Sequence, residues 1–153
     1  MTEASGTYAL LLRASSAQSV AVGALGDLAV RPGWYVYVGS AFGAGGVRAR
    51  VNRHARGDGA QHWHVDYLRA VTSLETVWYT HDQERRECAW AACLRERVGT
   101  RVPMAGFGAS DCNCEAHLIA FQAPPSLRGI EAALYAGHPD HAPIMQADAA
   151  VLG

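Results

Sequence analysis

The sequence predicts an α+β domain in which a small antiparallel sheet is flanked by helices, and three observations carry that expectation. Short segments rich in β-branched and aromatic residues recur along residues 6–122, separated by glycine and proline turns. Two segments among them, Val47–Ala55 and Glu84–Val98, instead space their apolar residues three and four apart, as a helix does. The extended segments that open the chain follow one another through tight turns, too short for the crossover that parallel strands need.

Gly6–Ala14 (GTYALLLRA) is the first predicted strand. Gln18–Gly23 and Leu25–Val30 are shorter extended segments broken by glycines, and Pro32-Gly33 marks a turn. Trp34–Val38 (WYVYV) is the strongest strand signal, since every residue is aromatic or β-branched. The glycine-rich stretch Gly43–Gly46 then opens onto the helix Val47–Ala55, which Gly57-Asp58-Gly59 stops. His62–Ala70 (HWHVDYLRA) fits a strand or a helix, and Leu74–Tyr79 reads as a strand. Glu84–Val98 is a helix with glutamate early, arginine late and Gly99 behind it, an order that suits the helix macrodipole. Val102–Asp111 is loop-like, His117–Gln122 is a last strand, and Pro124-Pro125 closes a domain spanning 1–123. Residues 124–153, with a short helix near Glu131–Ala136, are expected to form a partly ordered C-terminal appendage.

The 153 residues suffice for one domain with its own core. All 13 basic residues are arginine, which excludes a Schiff-base, P-loop or general-base lysine and leaves groups suited to holding planar anions. A net charge of -1 argues against a protein that coats nucleic acid but permits a local arginine patch. The N-terminus lacks the pattern of a signal peptide, and no apolar run approaches the roughly 20 residues that span a bilayer, so a cytoplasmic protein without membrane contact is expected. Cys88, Cys93, Cys112 and Cys114 are then read as buried, metal-bound or reactive thiols.

Several polar residues fall where a purely structural role is not the whole explanation. Glu87, Trp90, Ala91, Leu94 and Val98 form one helical stripe whose first member is a carboxylate. Glu87 is either a first-turn glutamate favoured by the helix dipole or a ligand aimed into a cleft. Arg48, Arg50, Arg53 and Arg56 follow the glycine loop, with His54 stacked on Arg50. That arrangement is either an anion site at a helix N-terminus or a solvated basic face. Tyr8 and Tyr37 lie in the two best strands, where tyrosine usually packs.

Taken in order, Gly6-Thr7-Tyr8, Tyr37-Val38-Gly39-Ser40-Ala41, Arg50 with His54, and Glu87 resemble the GIY-YIG nuclease superfamily. Tyr35–Ala41, His62–Leu68 (HWHVDYL) and Gly106–Cys114 (GFGASDCNC) resemble its DUF123 branch, and the resemblance covers residues 6–122. Thr7 and Val38 stand where the motifs that name the superfamily have isoleucine, and an insertion between Ala14 and Pro32 separates the two motifs. The resemblance implies three core strands plus extra ones, and phosphodiester hydrolysis of DNA, as an endonuclease or nickase, by in-line attack of water. It implies Mg²⁺ (or Mn²⁺) on Glu87, charge neutralisation by Arg50, Tyr8 as proton acceptor or positioner of the water, Tyr37 on phosphate or water, and His54 assisting. Gly39, Ser40, Arg48 and Arg53 are expected along the substrate.

His62, His64 and Asp66 alternate and would project together from an extended segment. Cys112, Cys114 and His117 form C-x-C-x₂-H beside Asp111. Zinc suits those thiolates and imidazole, although C-x-C is tighter than usual and no second cysteine pair follows. Alternatively His62, His64, Asp66 and Asp111 line the substrate cleft, or serve as caps and turns. His138 and His141 read as solvated tail residues. Two other functions fit the same residues: a non-catalytic nucleic-acid-binding module, and a protein built around a zinc site.

Overall fold

The computed structural model describes residues 1–57, 63–110 and 112–152. Its elements run β1 (Gly6–Ala14), β2 (Gln18–Ala21), β3 (Asp27–Val30), β4 (Gly33–Ala41), α1 (Gly46–Arg56), α2 (His64–Arg69), β5 (Ser73–Thr80), α3 (Glu87–Arg95), β6 (Thr100–Arg101), β7 (Leu118–Phe121), α4 (Leu127–Gly137) and β8 (Ile144–Asp148). Six strands form one antiparallel sheet in the order β6-β7-β4-β1-β5-β8, and β2 and β3 form a separate hairpin.

Strand β1 lies inside this sheet, paired along its whole length with β4 and over Thr7–Arg13 with β5. Both of its edges are therefore paired, and each of its faces is covered by a core, which is why its sequence is a nearly unbroken apolar run. Tyr8, Leu10 and Leu12 join Tyr35, Tyr37 and Val77 beneath α1, α2 and the hairpin, which add Val47, Val51, Leu68, Leu28 and Val30. Ala9 and Leu11 face the other way with Val36, Val38 and Trp78, against Trp90, Leu94, Ile130 and Leu134 of α3 and α4. The insertion that separates the two tyrosine motifs thus becomes a lid on the first core without disturbing the β1–β4 register.

Helix α3 is shorter than its sequence pattern suggests. Asp82 Oδ1 accepts the Glu84 N–H before the helix begins, and the Thr100 hydroxyl donates to the Arg95 and Arg97 carbonyls where it ends. Val98 is consequently fully exposed and leaves the buried stripe. His64–Arg69 is a helix because the Asp66 carboxylate accepts the Trp63 N–H and caps its first turn.

The described part of the C-terminal segment, residues 124–152, packs on the domain. Ile130 and Leu134 of α4 lie in the second core, and β8 pairs with β5 from Thr76↔Asp148 to Thr80↔Ile144. His141 is buried, its Nε2 accepting the Trp90 indole N–H at 2.9 Å, where the sequence suggested a solvated tail residue. Beside it, buried Arg86 pairs with Asp82 at 2.9 Å and also meets Glu84 and Asp140. The Ala142 N–H donates to the same Asp82 carboxylate, so one ionic cluster ties the α4–β8 connection to the start of α3. Among the described residues, no helix is long and apolar enough to cross a membrane.

Candidate functional site

The β1–β4 register sets Tyr8 opposite Gly39, with Tyr37 on the same face of β4. A Cβ at Gly39 would lie 2.6 Å from the Tyr8 hydroxyl oxygen and 3.1 Å from Tyr37 Cε2. The glycine, expected along the substrate, is therefore the seat of both rings. His54 reaches down from α1, its Nε2 3.0 Å from the Tyr8 hydroxyl, and its ring meets Tyr37 edge-on. Burial pushes both phenols well above their ordinary range; Glu87 pushes them further and Arg50 opposes it. Burial also lowers His54, against the pull of Asp66, so its imidazole is neutral near pH 7.

Arg50 is held by two contacts: its guanidinium lies 4.4 Å from the Trp63 ring centroid, and it donates to the Ser40 carbonyl at 3.2 Å. Ser40 in turn borders a cavity of about 270 Å³ lined also by Arg85, Glu87, Gly108, Cys112 and His117. Two larger clefts, of about 360 and 340 Å³, lie around Trp34–Arg101 and Arg97–Ile130 and contain neither carboxylate nor imidazole. Of these three, the smallest is the chemically equipped one.

Cys88, Cys112, Cys114 and His117 meet at this cavity, their candidate ligand atoms all within 4.8 Å of one another. His117 Nε2 lies 3.3 Å from Cys112 Sγ and 3.8 Å from Cys88 Sγ. Tetrahedral zinc, with Zn–S near 2.3 Å, brings such donors to about 3.5–3.8 Å from one another. Burial and the neighbouring thiols of Cys114 and Cys112 push the Cys88 thiol up to about 12. Three thiolates this close are stable only around a cation, so the four residues could hold a metal ion, and the donor set suits zinc. On the other side of the imidazole, buried His117 Nδ1 has no hydrogen-bond partner among the described residues and faces Glu87 Oε2 at 4.0 Å. Cys93 stands apart, its thiol directed at the Ile130 carbonyl.

Over residues 7–136 the chain matches the family described as a domain of unknown function, DUF123. The protein belongs to the DUF123 family. No curated protein and no solved structure matches it. The matched span takes in the whole tyrosine–histidine centre and the cysteine–histidine cluster of this DUF123 domain.

Other predicted site residues prove to be occupied within the DUF123 fold. Arg53 stacks on Trp63 and bonds Asp66, and Arg48 pairs with Glu3 on the surface. Helical geometry sends His64 and Asp66 in different directions. His64 Nδ1 accepts the Gly108 N–H at 2.8 Å and thereby holds the cysteine loop, while Asp66 stands 3.5 Å from His54 Nδ1. The glycine loop does not open an anion site, because the Val47 and Arg48 N–H groups donate to the Ala4 and Thr2 carbonyls. Gly46, at φ +61°, lets the Glu3 and Ala4 carbonyls pack where a side chain would stand. His62 and Asp111 lie outside the described residues. Cys88 is the candidate ligand that spacing alone missed; its one sequence signal is its place beside Glu87 at a helix start.

Proposed function

We propose that this DUF123 domain is a GIY-YIG-type endonuclease or nickase that hydrolyses phosphodiester bonds in DNA. The supporting observation is the convergence of Tyr8, Tyr37 and His54 in one buried contact, with the charges of Arg50 and Glu87 acting on both phenols. Tyr8 of β1, Tyr37 of β4 and His54 of α1 meet in one contact, and Glu87 lines the cavity that Ser40 borders beside Arg50.

Arg50, fixed by Trp63 and the Ser40 carbonyl, places a permanent cation at the rim, where it neutralises charge developing on a scissile phosphate. Tyr37 offers a hydroxyl to a phosphate oxygen or to the attacking water. Tyr8 positions that water with the hydroxyl it shares with His54. Among the described residues, Glu87, partly exposed, is the carboxylate that lines the cavity, and one carboxylate plus substrate phosphates suffices for Mg²⁺. Bound there, Mg²⁺ would supply charge stabilisation at the reacting phosphate. Cys88, Cys112, Cys114 and His117 are a closed four-ligand set and belong to a structural zinc, which pins the cysteine loop to α3.

Supercoiled, branched and single-stranded DNA incubated with the protein and Mg²⁺ test the proposal. Cleavage is expected, with losses of about 10²–10³-fold in Arg50→Ala and Glu87→Gln, the size typical of removing one electrostatic contact to the transition state. Undiminished cleavage by both variants refutes these roles. Salt-sensitive DNA binding with no cleavage of any substrate favours a binding module instead.

A further inference from the structure

We propose that Asp66 is a positioning residue that holds His54 with its proton on Nδ1, leaving Nε2 to receive the proton of Tyr8 as Tyr8 takes one from the attacking water. The inference rests on the nuclease reading and names the final proton acceptor of that site.

The tautomer follows from what each nitrogen faces. His54 is 1% exposed, so neither nitrogen can rely on water. Nδ1 makes no hydrogen bond of normal length, and the Asp66 carboxylate stands 3.5 Å from it. That carboxylate is anchored independently, by Arg53 at 3.3 Å and by the Trp63 N–H at 3.0 Å, and cannot turn to donate. A buried nitrogen facing a fixed acceptor is the one that carries hydrogen. Nε2 is then the acceptor of its 3.0 Å contact, and Tyr8 is the donor.

This direction resolves a difficulty with Tyr8. A deeply buried phenol is hard to ionise, and Glu87 makes ionisation harder. With a neutral imidazole behind it, Tyr8 need not become a free phenolate. One O–H bond of the water breaks as its proton moves to Tyr8 Oη, and the Tyr8 proton moves to His54 Nε2. The water oxygen forms the new P–O bond with its electron pair, and the scissile P–O bond breaks with its pair on the leaving oxygen. The leaving oxygen takes a proton from solvent, and after product leaves the imidazolium returns its proton to Tyr8 Oη as Tyr8 releases one to the incoming water. Asp66 stabilises the imidazolium through Nδ1, in the role a buried aspartate plays behind a catalytic histidine.

The charged and titratable groups facing His54 are Tyr8 from β1, Tyr37 from β4, Arg50 and Arg53 on its own helix, and Asp66 from α2; Arg69 bonds only its carbonyl. Both arginines disfavour the imidazolium, and among the described residues Asp66 is the group that favours it. Removing the carboxylate therefore moves the acid limb of activity to lower pH while slowing turnover.

Two-bond ¹H–¹⁵N spectra of the wild-type protein, titrated with pH, read the tautomer and pKa of His54 without needing any variant to fold. Protonated Nδ1 and bare Nε2 are expected at neutral pH. In Asp66→Asn the His54 pKa should fall, the acid limb of cleavage should shift with it, and kcat should drop by about 10²–10⁴-fold with KM little changed. Asp66→Glu should recover part of the loss. Nε2-protonated His54 in an active enzyme, or an unmoved acid limb in Asp66→Asn, overturns the relay alone. The expected tautomer with no cleavage by wild type overturns the nuclease reading and the proton-acceptor role with it.

Discussion

Replacing Gly39 by alanine puts a methyl group into the Tyr8 ring. The new carbon would lie 2.6 Å from Oη, 2.7 Å from Cζ and 3.1 Å from Tyr37 Cε2. The first two distances fall about 1 Å inside the 3.5–4.0 Å at which heavy atoms rest against each other. Gly39 pairs with Tyr8 across two interior strands, so the backbone has little freedom and the rings must yield. Its φ is not positive, so the substitution adds no backbone strain. Overpacking of this kind costs about 1–3 kcal/mol. Turning Tyr8 away also gives up its bond to His54, about 0.5–1.5 kcal/mol. Together these lower Tm by about 5–14 °C in a domain of this size. Urea unfolding followed by tryptophan fluorescence reads the stability, and the His54 Nε2 resonance reads the lost contact. Gly43→Ala is the control, since a Cβ there meets nothing within 4 Å. If Gly39→Ala matches the control within 0.5 kcal/mol and leaves the His54 resonance in place, the packing argument fails.

Protein purified without chelator should carry about one zinc per chain, and Cys112→Ser or prolonged chelation should release it and lower Tm; metal analysis that finds no zinc in stable protein refutes the site. Burial alone would raise the Asp82 carboxyl, but the Ala142 and Glu84 N–H groups and the Arg86 guanidinium outweigh it and hold the carboxyl below its usual value. With the folded value depressed, its stabilisation is full above the unfolded pKa near 4 and fades as pH falls through the folded one. Urea midpoints measured between pH 6 and 2 should therefore fall less steeply with acid in Asp82→Asn than in wild type, and parallel curves would exclude this contribution.

The strands that carry the two tyrosines were readable because buried strands are written in consecutive β-branched and aromatic residues, and their packing needs nothing else to be known. α2 was ambiguous because its choice hangs on one side chain: Asp66 caps the Trp63 N–H only once the chain has turned. The role of residues 124–153 was hidden for a different reason. α4 buries little beyond Ile130 and Leu134, and β8 is held by backbone pairing to β5, which leaves a faint apolar pattern. Tyr8, Tyr37, Arg50, His54 and Glu87 could be picked out as an ordered set, and so could Cys112, Cys114 and His117 of the candidate metal cluster, but not Cys88, which comes from a helix that precedes the cysteine loop by a long stretch of chain. Asp66 and Arg53 looked like substrate contacts because spacing reports charge but not which charge is already answered.

The position of β1 also bears on how the chain folds as it is made. The sheet grows outward from the first strand: β4 and β5 flank it, β7 follows on one side, and β8 is added last at the far edge. Until β8 leaves the ribosome, β5 presents an unpaired row of N–H and C=O groups next to Trp78 and Tyr79, a template for pairing with another nascent chain. The final strand thus ends a period of vulnerability during synthesis, and chains stopped short of residue 144 are the ones expected to aggregate.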